Sequence, residues 1–492
     1  MFNRHWQLSC TVGLVALLSA GSAHAQSAGQ IDQLQSQINA LQKQIAALKH
    51  QVKENEKRAA AAPPAAYAKA PPSPPPSAYV AMSANNRPSI CSRDGANCIA
   101  LTSRLHFDVG GLDLRPHSPV GPQTSNSGVN ARRARLGVIG TFMTDWNYTL
   151  IYDFGGSNDA IPTSGINNAY LSYTGLKPVV IEGGYMDTPY TLDEATSSND
   201  SMFMERASSQ VVATSIAAGD NRSAIGIRTN TDRLWAGAYL TGPTAGASHV
   251  GGTSSEQTGA FGRLTYQVLQ DKNYSLHIGG DALWLIKPTG VAPGANPTLT
   301  LSDRPELRID PTSLLTTGAI ANVSGAQVYS AELAGGIGSF FMQGEYFNYN
   351  IDRMAGLPSL NFDGGYVQAS YVLTGESRKY NPGSGAYSGV TPAQPFDWKS
   401  GGWGAWEIAG RYSVIDLNDR FTPGTPVAVT NGVAGGKQTI WTAGLNWYVN
   451  RNVRLMLNYL HGDIDKSSGV VPLGNDIGAS FDAVAMRTQV AF

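Results

Sequence analysis

The sequence predicts an all-β fold, an antiparallel transmembrane β-barrel of about sixteen strands preceded by an N-terminal coiled-coil helix and a Pro-rich linker. Three observations carry that expectation. From about Leu101 onward, apolar and polar residues alternate with a period of two, as in Tyr274, Leu276, Ile278, Ala282 and Trp284 against Ser275, His277 and Asp281. Aromatic residues gather at the ends of these segments, where a membrane interface favours amphipathic rings. The last residue, Phe492, closes a run in which Val484, Met486 and Val490 share its parity while Arg487 and Gln489 take the other. Such a run is the terminal strand of an outer-membrane barrel, with Phe492 as the signal read by the barrel-assembly machinery.

Composition agrees. Charged residues are 14% of the 492, aromatics 9%, and there are 55 glycines. The mean hydropathy of -0.17 is too polar for a bundle of membrane helices. Past the N-terminus no stretch offers the ~20 uninterrupted apolar residues of a membrane helix, so strands with one greasy and one wet face must make the crossing. A β-sandwich or propeller would also alternate, but it would bury the apolar parity in a core and leave the aromatic ends and terminal Phe without a cause.

At the N-terminus, Arg4 and His5 precede an apolar stretch from Val12 to Leu18, and Ala23-His24-Ala25 has the small-x-small pattern after which signal peptidase cuts. Residues 1–25 are therefore read as a secretory leader. Cys10 precedes the apolar core, which argues against a lipoprotein site. Losing the leader removes one positive side chain, Arg4, leaving 34 Lys+Arg against 36 Asp+Glu. That balance gives no reason to expect nucleic-acid binding.

Over residues 26–58, Ile31, Leu34, Ile38, Leu41, Ile45, Leu48 and Val52 recur at spacings of three and four, a heptad seam whose β-branched a positions and Leu d positions lean towards two strands. A lone amphipathic helix fits less well, because the seam is narrow and its flanks are Gln-rich. Residues 59–100 form an Ala/Pro-rich linker and a small loop; Pro71-Pro72-Ser73-Pro74-Pro75-Pro76 cannot pack a core. Cys91 and Cys98 read as a disulfide closing that loop in an oxidising periplasm, since a metal would need two more ligands and none lies nearby.

The barrel then occupies residues 101–492. Alternating segments start near residues 103, 133, 146, 166, 179, 223, 233, 258, 274, 326, 339, 364, 405, 437, 453 and 482, and an even number suits closure. Asp145-Trp146, Gly175-Leu176-Lys177-Pro178, Asn230-Thr231-Asp232, Gln270-Asp271-Lys272-Asn273 and Asn450-Arg451-Asn452 are short connections, as periplasmic turns are. Residues 187–222, 241–257, 285–325 and 462–480 are long and fall between them, as outer loops do. Residues 374–404 break the rule as a long periplasmic link.

Several segments resemble the phosphate-selective porin O and P family of Gram-negative outer membranes. They are Ala131-Arg132-Arg133-Ala134-Arg135-Leu136-Gly137 running to Asp145-Trp146, Thr196-Ser197-Ser198-Asn199 running to Met204-Glu205-Arg206, and Tyr371-Val372-Leu373-Thr374-Gly375-Glu376-Ser377-Arg378. Trp403-Gly404-Ala405-Trp406-Glu407 with Arg411-Tyr412, and Gly444-Leu445-Asn446-Trp447-Tyr448 before Asn458-Tyr459, complete the set. The resemblance runs from about residue 101 to 492 and implies a sixteen-stranded barrel in the outer-membrane lipid, a homotrimer, and loops folded into the lumen. The family accommodates the long link. Trimers conflict with the heptad's leaning; barrel walls packed together outweigh seven seam residues, so the trimer is preferred.

What the resemblance implies is a passive pore for small hydrophilic solutes and anions, with no cofactor. Arginine suits an oxyanion, being always charged and forked. Arg133 and Arg135 oppose Leu136, Val138 and Phe142 in parity, so both should face the lumen, while Arg132 has the lipid-facing parity at the strand's outer end. They resemble the family's anion-guiding arginines; paired with acidic groups across the lumen, they would instead only brace the wall. The segment from Thr188 to Asn221 corresponds to the constriction loop and carries Glu205 and Arg206, and Asp303 to Arg308 resembles another loop that brings Arg304 and Arg308. Arg104, Arg411 and Arg487 add charge to the wall or sit in structural ion pairs.

The family's phosphate-selective members also place lysines in the narrow zone, whereas here Asn199 and Leu360-Asn361-Phe362-Asp363 supply none. A weakly anion-preferring or mixed pore follows. Catalysis is not expected: there is no His-x-x-x-His pair and no Gly-x-Ser-x-Gly elbow, and His106 and His277 lie on polar parities that should line water. The competing reading is an envelope tether or structural outer-membrane protein built on the periplasmic coiled coil.

Overall fold

A computed structural model describes residues 27–60, 78–82, 86–122, 125–155, 165–219, 221–246, 256–271, 273–290, 296–470 and 473–492. The leader and the proline run at 71–76 lie outside the described residues. The chain divides into two units, Met1–Pro75 and Pro76–Phe492. In the first, helix α1 spans Ser27–Ala60, close to the expected 26–58. Leu41, Ile45, Leu48 and Val52 of its seam are more than half exposed, an uncovered apolar stripe; the side chains of Ile31, Leu34 and Ile38 lie outside the described residues.

Lipid offers the backbone no hydrogen bonds, so a strand that crosses it needs two neighbours, and a ring is what gives every strand two. The second unit is such a ring. Its strands are β1 Cys98–Pro116, β2 Asn126–Phe142, β3 Trp146–Asp153, β4 Gly165–Leu176, β5 Val179–Met186, β6 Arg222–Asn230, β7 Leu234–Thr244 and β8 Thr258–Gln270. They continue as β9 Tyr274–Lys287, β10 Val323–Ile337, β11 Phe340–Arg353, β12 Leu360–Val372, β13 Ala405–Asp419, β14 Val433–Tyr448, β15 Val453–Asp465 and β16 Ala479–Ala491. Each pairs antiparallel with the next, and β16 returns to β1 with Val490 opposite Leu105. Phe492 finishes the seam: its N–H donates to the Ser103 carbonyl at 3.1 Å and its carbonyl accepts from the Ser103 N–H at 3.0 Å.

Expected and observed strands correspond one to one, with boundaries extended. β2 begins at Asn126 rather than near 133, because the polar residues that break the alternation are satisfied from within: the Asn126 amide donates to Asp310 at 2.8 Å and the Asn130 amide to the Arg308 carbonyl at 2.7 Å. Strands Tyr79–Met82 and Pro88–Cys91 form a hairpin added to the start of β1, where Cys91 lies opposite Cys98 and the two are joined by a disulfide across Cα atoms 4.1 Å apart.

Parity sorts the wall. On β10, Tyr329, Leu333 and Ile337 point outward and are 46%, 55% and 71% exposed, while Val328, Glu332 and Ala334 point inward and are buried. The inward face corrects an expectation, for it is wet only in part. Towards the long-loop end Phe261, Leu283, Phe347, Phe362 and Ile415 belong to a dry apolar cluster with Val212 and Ile216 of an inserted loop. The link between β12 and β13 emerges at the same end as the short turns, as its position in the alternation of connections requires.

Outward apolar positions face lipid on this reading, so Leu333→Arg in the middle of β10 should lower the unfolding free energy by about 2–4 kcal/mol. Urea titration of the protein refolded in lipid vesicles measures it; an unchanged midpoint would place that face out of hydrocarbon.

Candidate functional site: the lumen

Three connections fold into the ring. The first, residues 187–221 between β5 and β6, holds the short helix α2 (Leu192–Ala195) and helix α3 (Ser208–Ala217). Its companions are residues 298–321 of the β9–β10 loop and residues 378–390 of the β12–β13 link. α3 buries Val212, Ala213 and Ile216 completely against the wall, and removing each large apolar side chain from water stabilises the insertion by about 1.5–3 kcal/mol.

Wall side chains hold this loop through its backbone. Glu345 accepts the N–H groups of Leu192 and Asp193 at 2.7 and 3.1 Å, and Asp281 accepts that of Thr191 at 3.3 Å. Glu306, from the second inserted segment, accepts the Ser208 N–H at 2.9 Å at the start of α3. Arg454 donates to the carbonyls of Asn199 and Ser201 at 3.1 and 2.5 Å, and the Asn446 amide donates to that of Met202 at 2.9 Å. An inserted loop cannot satisfy its own backbone, so the barrel supplies the partners.

Among the described residues one group of three carboxylates, Asp281, Glu332 and Glu345, converges within 4.8 Å. Its cation is already present. Arg263 donates to both oxygens of Glu332 at 3.0 Å and lies 3.5 Å from Asp281, and Glu345 is committed to α2, so the group anchors the loop and calls for no metal. His277, 3.6 Å from Glu332, is fully buried, as is His106; neither lines water as its parity predicted.

A second charged lattice surrounds Glu205. Arg487 grips Asp108 with two bonds of 2.6 and 2.7 Å and reaches Glu205 at 2.7 Å. Arg132 reaches the same carboxylate at 2.9 Å. Its parity predicted an outward side chain, but the register slips between His106 and Asp108, where Ala131 and Arg132 together oppose the single residue Phe107. That bulge turns Arg132 inward beside Arg133. Burial alone would raise the Glu205 pKa; Arg132, Arg487 and Arg133 outweigh it and hold it well below the usual carboxylate value.

Space remains along the β2–β7 wall and below the loop tip. An outer chamber of about 370 Å³ is lined by Arg104, Arg135, Arg206 and Arg228 against Glu182, Asp187, Glu194 and Asp200. Its charges balance, and several are paired: Arg228 with Glu182 at 3.2 Å, Arg135 with Asp153 at 2.8 Å, Arg206 with Glu194 at 3.4 Å. An inner chamber of about 920 Å³, nearer the short-turn end, is lined by Arg87, Arg104, Lys379, Arg451 and Arg454 against Asp200 and Glu376. The chambers share Arg104, Ser197, Asp200, Asn381 and Ser388, so they meet at the loop tip, where Arg104 donates to the hydroxyls of Ser198 and Ser197 at 2.6 and 3.2 Å.

Residues 99–492 match the family described as phosphate-selective porin O and P. The chain belongs to that family. Among curated proteins it is 26% identical over 375 residues to Porin O of Pseudomonas aeruginosa, covering 73% of this chain and 81% of that one. It is 28% identical over 423 residues to an uncharacterised protein of Caulobacter vibrioides, covering 83% and 76%. Among solved structures, the anion-selective porin from Comamonas acidovorans aligns with a TM-score of 0.47 at 13% identity, covering 80% of this chain and all of that one. The protein is a porin of the outer membrane, a passive channel.

Within the porin, the predicted site residues separate into two groups. Arg104, Arg135 and Arg206 line the chambers. Arg133, Glu205, Arg304, Arg308, Arg411 and Arg487 are buried and line neither. Arg308 pairs with Asp303 at 2.6 Å, Arg411 pairs with Glu306 and donates to the Glu205 carbonyl at 2.8 Å, and Arg133 lies against His106 at 3.5 Å. These residues sit in packed contacts of the wall and the inserted segments, away from both chambers. The sequence reading missed Arg228 and Arg454, whose inward parity was readable, and Arg87 and Lys379, which sit in connections without periodicity. Lys379 also answers the missing lysines, since one arrives from the link.

Removing one partner of a buried charge pair strands the other. Arg487→Met, leaving Asp108 and Glu205 without their shared cation, should destabilise the folded porin by about 3–5 kcal/mol in urea titration. A loss under about 1 kcal/mol would mean that water already reaches the pair, as at an exposed bridge.

Proposed function

We propose that this porin passes small hydrophilic solutes with a preference for anions, and that the inner chamber sets the preference. The observation that carries the reading is the side-chain charge count there: five cationic side chains against two acidic ones, a surplus that the terminal carboxylate of Phe492 reduces by one, beside an outer chamber whose four arginines meet four acids. Paired arginines present little field to a passing ion. The surplus in the inner chamber replaces part of an anion's hydration and raises its local concentration. With a single lysine and no cluster of them, the chamber suits small anions as a class, phosphate included, better than it suits phosphate alone.

Short turns face the periplasm in barrels of this kind, so on this reading the inner chamber and the disulfide hairpin lie on that side. The outward apolar faces and the family resemblance support a homotrimer in the outer-membrane lipid, and the β16–Phe492 strand is the segment the barrel-assembly machinery would engage. A tether reading keeps some force because α1 leaves an apolar stripe uncovered. Deleting residues 26–86 separates the two: unchanged conductance with a loosened envelope makes α1 a tether, and lost trimers make it an assembly device.

Reversal potentials of the purified porin in planar bilayers under a KCl gradient test the main reading. The wild type should prefer chloride, and Lys379→Glu should lower the anion-to-cation permeability ratio roughly twofold, while Arg133→Gln, away from both chambers, leaves it unchanged. A cation-preferring wild type would remove the proposal.

A further inference from the structure

The β12–β13 link has two halves with opposite destinations. The lumen half is held by Arg378, which donates to both oxygens of Glu407 at 2.9 Å, and it brings Lys379 to the inner chamber. The other half, residues 395–403, turns outward below the rim of β13 and β14.

This outward turn is built, not slack. The Phe396 N–H donates to the Val449 carbonyl at 2.7 Å, and Asp397 and Gly402 are paired across the turn. The Asp397 carboxylate accepts the Lys399 N–H at 2.9 Å and the Ser400 hydroxyl at 2.6 Å. Gly401 and Gly404 take φ of +76° and +69°, and a Cβ on Gly402 would lie 2.2 Å from the Pro395 carbonyl oxygen, so the bend is too tight for larger residues.

What it presents is aromatic. Trp406 and Trp447, on the outward parity of β13 and β14, stack at 5.2 Å in the lower girdle of the barrel. Phe396 meets Trp447 edge-on at 5.3 Å, and the Trp447 indole N–H donates to the Trp403 carbonyl at 2.9 Å. From that base Trp403 and Trp398 project 72% and 88% exposed, with Lys399 between them. Two indoles held in water by a rigid turn are unfavourable. Beside a girdle that already marks the membrane interface, the neighbouring medium that suits an apolar ring with a polar N–H and a flanking ammonium is the glycerol and phosphate layer of a phospholipid leaflet.

We propose that residues 395–403 are a membrane anchor for the link, seating Trp398 and Trp403 among phospholipid headgroups at the short-turn end and thereby holding the lumen half of the link in place. The girdle's continuity with the turn favours lipid over a second copy of the chain as the occupant.

The test attaches an environment-sensitive NBD label to Trp398→Cys in the porin carrying Cys10→Ser, whose Cys91 and Cys98 are already joined, and reconstitutes it in phosphatidylcholine nanodiscs. Bromines placed near the headgroup end of the acyl chains should quench the label about twofold more than bromines near the chain terminus, and aqueous iodide should quench it weakly. Label quenched by iodide and not by bromolipid would put the turn in water; label shielded from both would put it against another subunit. Either result overturns the proposal. The same label at Lys399→Cys serves as a second position should the first variant assemble poorly. As the functional readout, Trp398→Ser with Trp403→Ser should increase brief closures of the open channel by about threefold, the link losing its hold from the membrane; unaltered gating would limit the anchor to lipid contact and refute its role in holding the lumen half.

Discussion

The constraint on which everything else rests is that hydrocarbon cannot satisfy a peptide group. Sixteen strands close into a ring because any free edge would leave a row of unmatched N–H and C=O groups in lipid. Closure divides the side chains of each strand into two sets, one for lipid and one for the lumen. The outward set has one requirement, to be apolar across the band and aromatic at its borders. The inward set is released from hydrophobicity altogether, which is why a wall can carry His106, Asp108, Arg133, Glu332, Glu407 and Arg487 in buried positions and still be the wall of a membrane protein.

That release creates a second problem, which the inserted loops settle. A wide polar barrel filled with water would discriminate poorly, but a loop drawn into it brings its own unsatisfied backbone. Two devices meet the demand here. Towards the long-loop end α3 packs apolar residues on apolar wall positions, as a soluble core would. Lower down, the wall carboxylate of Glu345 accepts loop N–H groups and the wall guanidinium of Arg454 donates to loop carbonyls, while Arg487 neutralises Glu205 directly. Buried ion pairs are weak sources of net stability, yet they are costly to break singly, so they specify where the loop sits more than they strengthen the fold.

This explains what was legible beforehand. Alternation, aromatic borders and Phe492 reveal a ring because lipid imposes the same rule on every strand, and all sixteen strands were located. Inward parity alone does not say what an arginine meets there. Arg133 and Arg135 share strand and parity, yet Arg135 lines a chamber and Arg133 is sealed behind the loop, because the difference lies in where residues 187–221 fold. Arg132 was misplaced for a local reason: a bulge adds one residue to β2 and reverses the parity on which the reading relied. Lys379 and Arg87 lie in connections, where no period exists to be read.

The distribution of charge then follows from the division of labour between strands and connections. Several strand arginines, Arg135, Arg263, Arg411 and Arg487 among them, pair with acids, because a buried charge on a packed wall is costly unless it is neutralised where it stands. Lys379 and Arg451 lie on connections at the chamber's margin and are exposed to water. On the proposed reading, net charge gathers where the barrel stops being packed, at the mouth beneath the loop tip. On the proposed reading, selectivity is placed by solvation: arginines sealed behind the inserted loops would hold the channel's shape, and those that keep their water, with Lys379, would act on the ion.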